Sequence, residues 1–476
     1  MRPRAPQLEL ADIQGDILRA YGNAYDCTSY AFVRIECEPA QARAWFAGLL
    51  DHVTTAQPWR SKPLTTLNVA LTASGLAALG LSQPAVGSFS HEFRQGMAAR
   101  AELLGDTGPS TPQRWEPGLG TGDAHVLLTI NAQTTADHRR ALGKMQAAMR
   151  DAGGMRVLYQ QDAQLLHGAR EHFGFADGFS QPAIEGATED KTPGGGVPQK
   201  DGSWRTLAAG EFILGYPDED SNVDRHRRLP PAPDGALGRN GTYVVWRKLH
   251  QDVALWRRTI EAAAARYPYG DARKLAAKVV GRWQDGTPVE THPFGPDPEF
   301  DPAAHGANDF RYGADLDGRR CPLGAHVRRT NPRDALGHAG KLSFRHRMIR
   351  RGMPYGPVLP DGVLEDDGAE RGLVFVSFQA SIFRQFEGVQ TPWINDGNIF
   401  GLGADKDFLL GDAAGSGKMT IQGEKPYFLA PQQAFVVTRG GEYLFVPGIS
   451  GLQAIADGVW TRALDAEAMS TVGAKP

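Results

Sequence analysis

Residues 124–165 read AHVLLTINAQTTADHRRALGKMQAAMRDAGGMRVLYQQDAQL. Ala124 to Ala132 has the apolar, β-branched content of a strand, Thr135 to Ala152 the pattern of a helix, and Met155 to Leu165 that of a second strand. The same order occurs upstream. Ser29 to Glu36 (SYAFVRIE) is a strand, Ala40 to Val53 a helix with Ala42, Phe46, Leu49, Leu50 and Val53 on one face, and Leu64 to Thr72 a strand. Two β-α-β units in series predict an α+β fold of ferredoxin-like type, an antiparallel sheet flanked by helices. Their sequences are too dissimilar to count as a repeat.

Outward from this unit, residues 186–210 are rich in Gly, Thr, Pro and Lys and form the best linker candidate. Domains are therefore expected at 1–190 and 205–476. In the second, Thr242 to His250 (TYVVWRKLH) is a strand and Asp252 to Tyr267 a helix capped by Asp252, with Trp256 and Ile260 on its apolar face. Residues 284–319 make a long Pro-, Asp- and Gly-rich loop, of the kind that is usually functional or mobile. Phe344 to Arg350 and Leu373 to Gln379 look like strands and Ser381 to Gln390 like a helix. Phe435 to Val437 and Tyr443 to Val446 suggest a hairpin around Gly440-Gly441. A second α+β layer follows.

The chain has 476 residues, with Lys plus Arg 51 and Asp plus Glu 54, a formal charge of −3. So even a balance disfavours a nucleic-acid partner. With 41% apolar residues and no run of the length a spanning helix needs, a membrane protein is not expected. Three cysteines, Cys27, Cys37 and Cys321, exclude a disulfide scaffold and Cys-rich zinc sites. The N-terminus shows no apolar signal core and no twin-Arg pair, so a cytoplasmic chain is expected, and a leader removed separately stays compatible with that. High Ala, Arg and Gly usage suggests a bacterial source.

Zinc-hydrolase, P-loop and G-x-S-x-G signatures are absent, and three other segments stand out. In Gly174-Phe175-Ala176-Asp177-Gly178-Phe179-Ser180-Gln181-Pro182 an acid sits between glycines and phenylalanines at a sharp turn, a setting suited to proton shuttling. The alternative is an ordinary Asp-Gly turn, which the motif alone favours. In Cys321-Pro322-Leu323-Gly324-Ala325-His326-Val327-Arg328-Arg329-Thr330-Asn331-Pro332-Arg333 a histidine among small residues precedes three arginines. That is what a haem needs, an axial imidazole and cations for its propionates. A buried structural histidine, or Cys321 as a thiolate ligand, are the alternatives. In Arg345-His346-Arg347-Met348-Ile349-Arg350-Arg351-Gly352-Met353-Pro354-Tyr355-Gly356, neighbouring Arg350 and Arg351 would point to opposite faces of a strand. A solvated basic strand or a phosphate-binding surface would read the same.

Together these segments resemble the dye-decolourising peroxidase family, from Ala11-Asp12-Ile13-Gln14-Gly15-Asp16-Ile17-Leu18 to Gly441-Glu442-Tyr443-Leu444-Phe445-Val446-Pro447. The opening D-I-Q-G-D-I-L, Glu211-Phe212-Ile213-Leu214-Gly215-Tyr216 and the length resemble its large-loop subgroup. The resemblance implies two ferredoxin-like domains with one non-covalent haem b in the C-terminal one. It implies His326 as proximal iron ligand, Asp177 as distal acid and Arg350 as distal arginine, with Arg351 the neighbour open to confusion. Arg333 would contact a propionate, Leu373 and Phe375 would line the distal pocket, and Glu387 would accept the proximal imidazole N–H.

The implied activity is a peroxidase that uses hydrogen peroxide to oxidise dyes, phenolics or similar reductants by one-electron steps. Carboxylates stay ionised where histidine is already protonated, so an acidic optimum is expected. Bulky dyes would be served through Trp246, Trp256, Trp393, Tyr243 or Tyr312, each equally readable as a core aromatic. Asp218, Glu219 and Asp220 could hold manganese or simply be solvated. The other hypotheses are a haem-handling protein for uptake, storage or iron release, and a haem-thiolate monooxygenase using Cys321. Oligomeric state, monomer or dimer, is not readable.

Overall fold

The first half of the chain supplies β1 (Cys27–Ile35), α1 (Pro39–Ala47), β2 (Thr65–Leu71), β3 (Val126–Ala132), α2 (Thr135–Ala152) and β4 (Met155–Gln164). The structure is a computed structural model describing residues 7–460 apart from 22–24, 189–191, 221–231, 234, 305, 338–339, 412–417 and 431. Part of the expected linker and one residue of the expected long loop therefore lie outside the described residues. The four strands pair antiparallel in the order β4-β1-β3-β2. The second half repeats the plan with β5 (Thr242–Gln251), α3 (Val253–Ala264), α4 (Ala272–Val280), α5 (His326–Thr330), β6 (Ile349–Arg350), β7 (Met353–Tyr355), β8 (Gly372–Gln379) and β9 (Val436–Val446). Its order is β9-β5-β8-β6, with β7 also on β8. Taking β6 and β7 as one interrupted strand, each half reads four-one-three-two, the ferredoxin-like arrangement that the paired β-α-β pattern predicts.

The halves form one continuous sheet. β2 meets β9 at a single ladder position, Leu71 with Phe445, and β7 packs against β4 at the opposite edges, so the sheet curls toward a barrel. The D-I-Q-G-D-I-L segment completes the seam. Gln14, fully buried, donates from Nε2 to Val69 O (2.9 Å) and Pro447 O (3.0 Å), and its Oε1 accepts from Val69 N (2.9 Å). Asp12 accepts from Ser450 N (2.6 Å) and Asn240 Nδ2 (2.6 Å). A side-chain amide thus stands in for the missing rungs between β2 and the end of β9, because it carries both a donor and an acceptor.

Period-two alternation sorts the two faces of β5. Val244 and Trp246 point into the barrel interior with Phe32, Leu127, Phe378 and Leu444. Tyr243 and Val245 face the outer core with Phe93, Ile382 and Phe445. Further along that outer face, Arg247, Leu249 and Gln251 line a cavity.

Three local expectations are corrected. The helix expected over 40–53 stops at Ala47, capped by Gly48, and resumes only as a 3₁₀ turn at Leu50–His52. Phe344 to Arg350 is not one strand: Lys341–Phe344 is a helical turn, and only Ile349–Arg350 pairs with β8. Gly440-Gly441 is not a hairpin turn but lies inside β9, at a bulge opposite β5. A Cβ on Gly440 would sit 2.4 Å from Leu119 Cδ1, and one on Gly441 2.2 Å from Met97 Sδ. These glycines let the 73–120 excursion of the first half lie flush on the strand, a close approach that reads in sequence like a turn.

Replacing Gln14 by Ala would strand buried amide groups on Val69 and Pro447, at a cost of about 2–4 kcal/mol. Gln14→Ala should lower the unfolding transition measured by circular dichroism while leaving the folded spectrum unchanged. A second expectation concerns pH. Burial pushes the Asp16 carboxyl up to about 7 and Glu442 up to about 8, and burial together with nearby Asp315 pushes Glu290 up to about 8. Folded pKa values above the unfolded ones mean stability present in acid and lost as pH rises through 7 to 8. Thermal unfolding followed at about pH 5 and about pH 8 should show the lower midpoint at the higher pH, and Asp16→Asn should flatten that difference.

Candidate active site

A cavity of about 830 Å³ lies in the second half, against the outer face of β5 and β8. It falls within the range of about 300–1,000 Å³ that encloses drug-sized ligands and cofactors. The sheet wall contributes Arg247, Leu249, Leu373, Phe375 and Arg350. The helical wall contributes His326 and Thr330 from α5, then Phe386, Val389, Gln390 and Ile394. The segment 174–180 brings Phe175, Asp177, Phe179 and Ser180, and the first half adds Leu104 to Thr107, Pro109 and Ser110. The sequence-predicted Asp177, His326, Arg333, Arg350, Leu373 and Phe375 all face this one space.

His326 opens α5, and its Nδ1 is hydrogen-bonded to Asp407 Oδ2 at 3.0 Å. Burial disfavours a charged imidazole, but the charge and hydrogen bond of Asp407 outweigh it and hold His326 above the usual range. Asp407 is itself fixed, since its Oδ1 accepts from Leu409 N (3.0 Å) and Leu410 N (2.8 Å). Burial would push its carboxyl up, yet His326 beside it holds it below the usual carboxylate range. The pair leaves Nε2 as the nitrogen not held by the carboxylate.

Glu387 does not have the role expected of it. It accepts from Arg100 Nε (2.5 Å) and Nη2 (2.6 Å) and from Tyr443 OH (2.8 Å), so it docks the 73–120 excursion. Asp407 holds the imidazole in its place. The helix carrying Glu387 is π-widened over Ile382–Glu387 and Gln390–Ile394. Pro392 has no N–H to give to the helix, and Phe386, Gln390 and Ile394 line the cavity. The only sequence signal for Asp407 is an acid ahead of Phe408-Leu409-Leu410, the pattern of a side chain that closes a turn on following amides.

Arg350 and Arg351 diverge as neighbours on a strand must. Arg350 lines the cavity and donates from Nη2 to Ser180 O. Arg351 points the other way and donates to Asp16 O (3.1 Å) and Ile17 O (3.2 Å) of the N-terminal motif. Gln181 sets the register between the two loops: its Oε1 accepts from Arg350 N and its Nε2 donates to Arg350 O, both at 3.0 Å. The acid-bearing segment is thus docked on β6 like an added strand. Asp177 is exposed toward the cavity and accepts from Gly178 N at 2.7 Å.

The wall near Arg333 is strongly cationic. Arg333 donates to Asn308 O (3.0 Å) and Phe310 O (2.8 Å) and stacks 3.8 Å from the Phe310 ring centroid. Its backbone is left-handed, φ 53°, a strain of about 1–3 kcal/mol. Buried Arg347 and Arg282, not singled out from sequence, stand beside it, and burial lowers their guanidinium groups to about 9 and about 10. Arg333 Nε and Arg347 Nη2 are buried without a hydrogen-bond partner among the described residues.

Cys321 is excluded as a ligand to anything in the cavity. It is fully buried elsewhere, and burial pushes its thiol up to about 12. The acids named for manganese are ion-paired: Asp218 and Asp220 with Arg345, and Glu219 with Arg205. All five proposed relay aromatics are buried. Of these, Trp256 and Trp393 touch rings that line the cavity, Phe173 (5.3 Å between centroids) and His346 (4.6 Å).

Comparison with known proteins agrees with this geometry. Residues 12–164 match the model of the DyP dimeric alpha+beta barrel domain, and 213–399 that of the Dyp-type peroxidase C-terminal domain. Peroxidase 2 of Mycetinis scorodonius is 30% identical, over 94% of this chain and 87% of its own length. A multifunctional dye peroxidase of an Amycolatopsis species is also 30% identical, over 94% and 96%. Among solved structures, an ancestral D-type dye-decolourising peroxidase superposes with a TM-score of 0.79 at 29% identity, covering 94% of this chain and 99% of that one. A DyP-type peroxidase of Auricularia auricula-judae gives 0.80 at 26%, covering 95% and 100%. The fold is that of a peroxidase. The chain belongs to the dye-decolourising peroxidase family, a family of haem enzymes.

Proposed function

We propose that the cavity holds one non-covalent haem b on His326 Nε2 and that the enzyme uses hydrogen peroxide to oxidise phenolics and dyes. The observation that carries this reading is the convergence on one cavity of a carboxylate-paired imidazole with Asp177 and Arg350, near enough for both charges to act on His326. The donor set suits the group: a neutral nitrogen for iron, apolar Leu373, Phe375 and Phe386 for the ring, and unpartnered nitrogens on Arg333 and Arg347 for its carboxylates. A solved relative described as a complex with 2,6-dimethoxyphenol supports phenolics as reductants.

Bound haem supplies the iron at which peroxide is reduced. The rest is the work of this chain. Asp177 accepts a proton from one peroxide oxygen and returns it to the departing one, a double role open to a carboxylate within reach of both. Arg350 offsets the negative charge that grows on the departing oxygen. Asp407 fixes the tautomer of His326 and raises its basicity as a ligand. Reductants too large for the cavity would deliver electrons through Trp256 or Trp393.

Asp177→Asn should keep full haem content and slow the second-order reaction with peroxide, followed by stopped-flow absorbance, by about 100-fold or more. An unchanged rate would instead favour haem handling. His326→Ala should abolish haem binding. Asp407→Asn should raise the reduction potential of the loaded protein. Glu387→Gln should leave that potential in place and lower stability, because Arg100 would keep a buried charge without its partner.

A further inference from the structure

The loop that delivers Asp177 is tied by a second carboxylate six residues earlier. Glu171 Oε2 accepts from Phe173 N at 2.9 Å and Oε1 from Phe175 N at 2.9 Å. Oε2 also accepts from Gln251 Nε2 at 2.7 Å, which joins the loop to the end of β5. The backbone closes the same circuit, with Glu171 N bonded to Phe175 O (3.0 Å) and Gly174 N to Glu171 O (2.9 Å). Gly174 stands at φ 96°, in the left-handed region that lets so short a loop reverse. From this knot the chain runs two residues to Asp177, whose own N–H is taken by Ala169 O (3.0 Å).

A carboxylate suits this place for a reason of valence. Two inward-pointing amides and a side-chain amide present three N–H donors; burial pushes the Glu171 carboxyl up to about 7, and once ionised above that it is acceptor-only at both oxygens. Glutamine would offer one accepting oxygen and an NH₂ that faces a donor. Phe173 and Phe175, whose amides are held, also line the cavity, so the carboxylate fixes the rings and the acid together.

We propose that Glu171 is the positioning residue for Asp177, holding the acid where it can reach peroxide without itself touching the reacting atoms. This rests on the reading of Asp177 given above. Positions such as this matter because a displacement of about 1 Å can cost about 100-fold in rate.

The test compares Glu171→Gln, Asp177→Asn, the double variant and Glu171→Asp, as full-length haem-loaded proteins, at a pH above about 7 where Glu171 is ionised. Hydrogen exchange resolved to the peptide covering 171–178 should speed about tenfold or more in Glu171→Gln, in both the loaded and the cofactor-free protein. The second-order peroxide reaction should fall about 10- to 100-fold with haem content and the KM for a phenolic reductant unchanged. On the Asp177→Asn background, Glu171→Gln should add less than about twofold, because residues acting as a unit are not additive. Glu171→Asp should recover part of the rate. If Glu171→Gln fails to fold, Gln251→Ala removes one donor from the carboxylate and should give the same changes, smaller. Slow Asp177→Asn with wild-type Glu171→Gln overturns the positioning role alone. A slow Glu171→Gln with unchanged exchange, or with full additivity, overturns it too. Wild-type reactivity in Asp177→Asn overturns the reading of Asp177, and the positioning role falls with it.

Discussion

The seam between the two halves is the constraint on which the rest depends. Two four-stranded sets share one ladder position, far too little pairing to hold large layers in register. What supplements it is the pair of apolar cores that the halves share, together with buried polar contacts that fix the register: the Gln14 amide at one end of the seam, and the ion pairs Arg247–Asp106 and Arg100–Glu387 under the 73–120 excursion. Breaking any such pair leaves an uncompensated buried charge, a penalty of about 3–5 kcal/mol. The excursion therefore docks in one way or not well at all. The cavity depends on that docking, because residues 104–110 form one of its walls. A site walled mostly by the second half is completed by the first.

The cavity wall explains where the fold gives up stability. Arg333 and Arg350 are packed close enough to depress the guanidinium groups of Arg282 and Arg347, after burial has done most of it. Two of their nitrogens have no partner among the described residues. Unpaired buried donors and a left-handed arginine backbone are costs that packing alone would remove. They become intelligible as the cationic rim of a site for an anionic group, which is the same inference reached from the imidazole side of the cavity.

Much of this was legible in the sequence, and the rest failed for identifiable reasons. The strands at 27–35, 65–71, 126–132, 242–251 and 372–379 and the helix at 135–152 follow hydrophobic period, which survives tertiary context when one face is buried. Asp177, His326 and Arg350 were legible through the family resemblance that their motifs carry; the runs by themselves favoured an ordinary turn and a structural histidine. Asp407 was not, since a carboxylate that closes a turn looks like any loop acid, and its contact with His326 spans 81 positions. Glu387 drew the role instead because it lies on a helix near the site, whereas its partners Arg100 and Tyr443 come from distant segments. Gly440-Gly441 carried turn chemistry but served close packing against Met97 and Leu119. Pattern cannot tell these apart, because each requires a residue without Cβ.

Three carboxylates around the site differ chiefly in how firmly they are held, and that difference sorts their roles. Asp407 has one oxygen on two backbone amides and the other on His326. It can neither turn nor exchange partners without unmaking α5's contact with the loop, so it serves as a fixed counter-charge. Glu171 accepts three N–H donors and is fixed in the same way, to the loop rather than to an imidazole. Asp177, among the described residues, accepts only the neighbouring Gly178 amide with its side chain, and it faces the open cavity. A group that must take a proton from one oxygen and give it to another has to change hydrogen-bond partners within a single turnover. Of the three, only Asp177 can do so without breaking structure, and the rigid pair are what leave it a defined place from which to move.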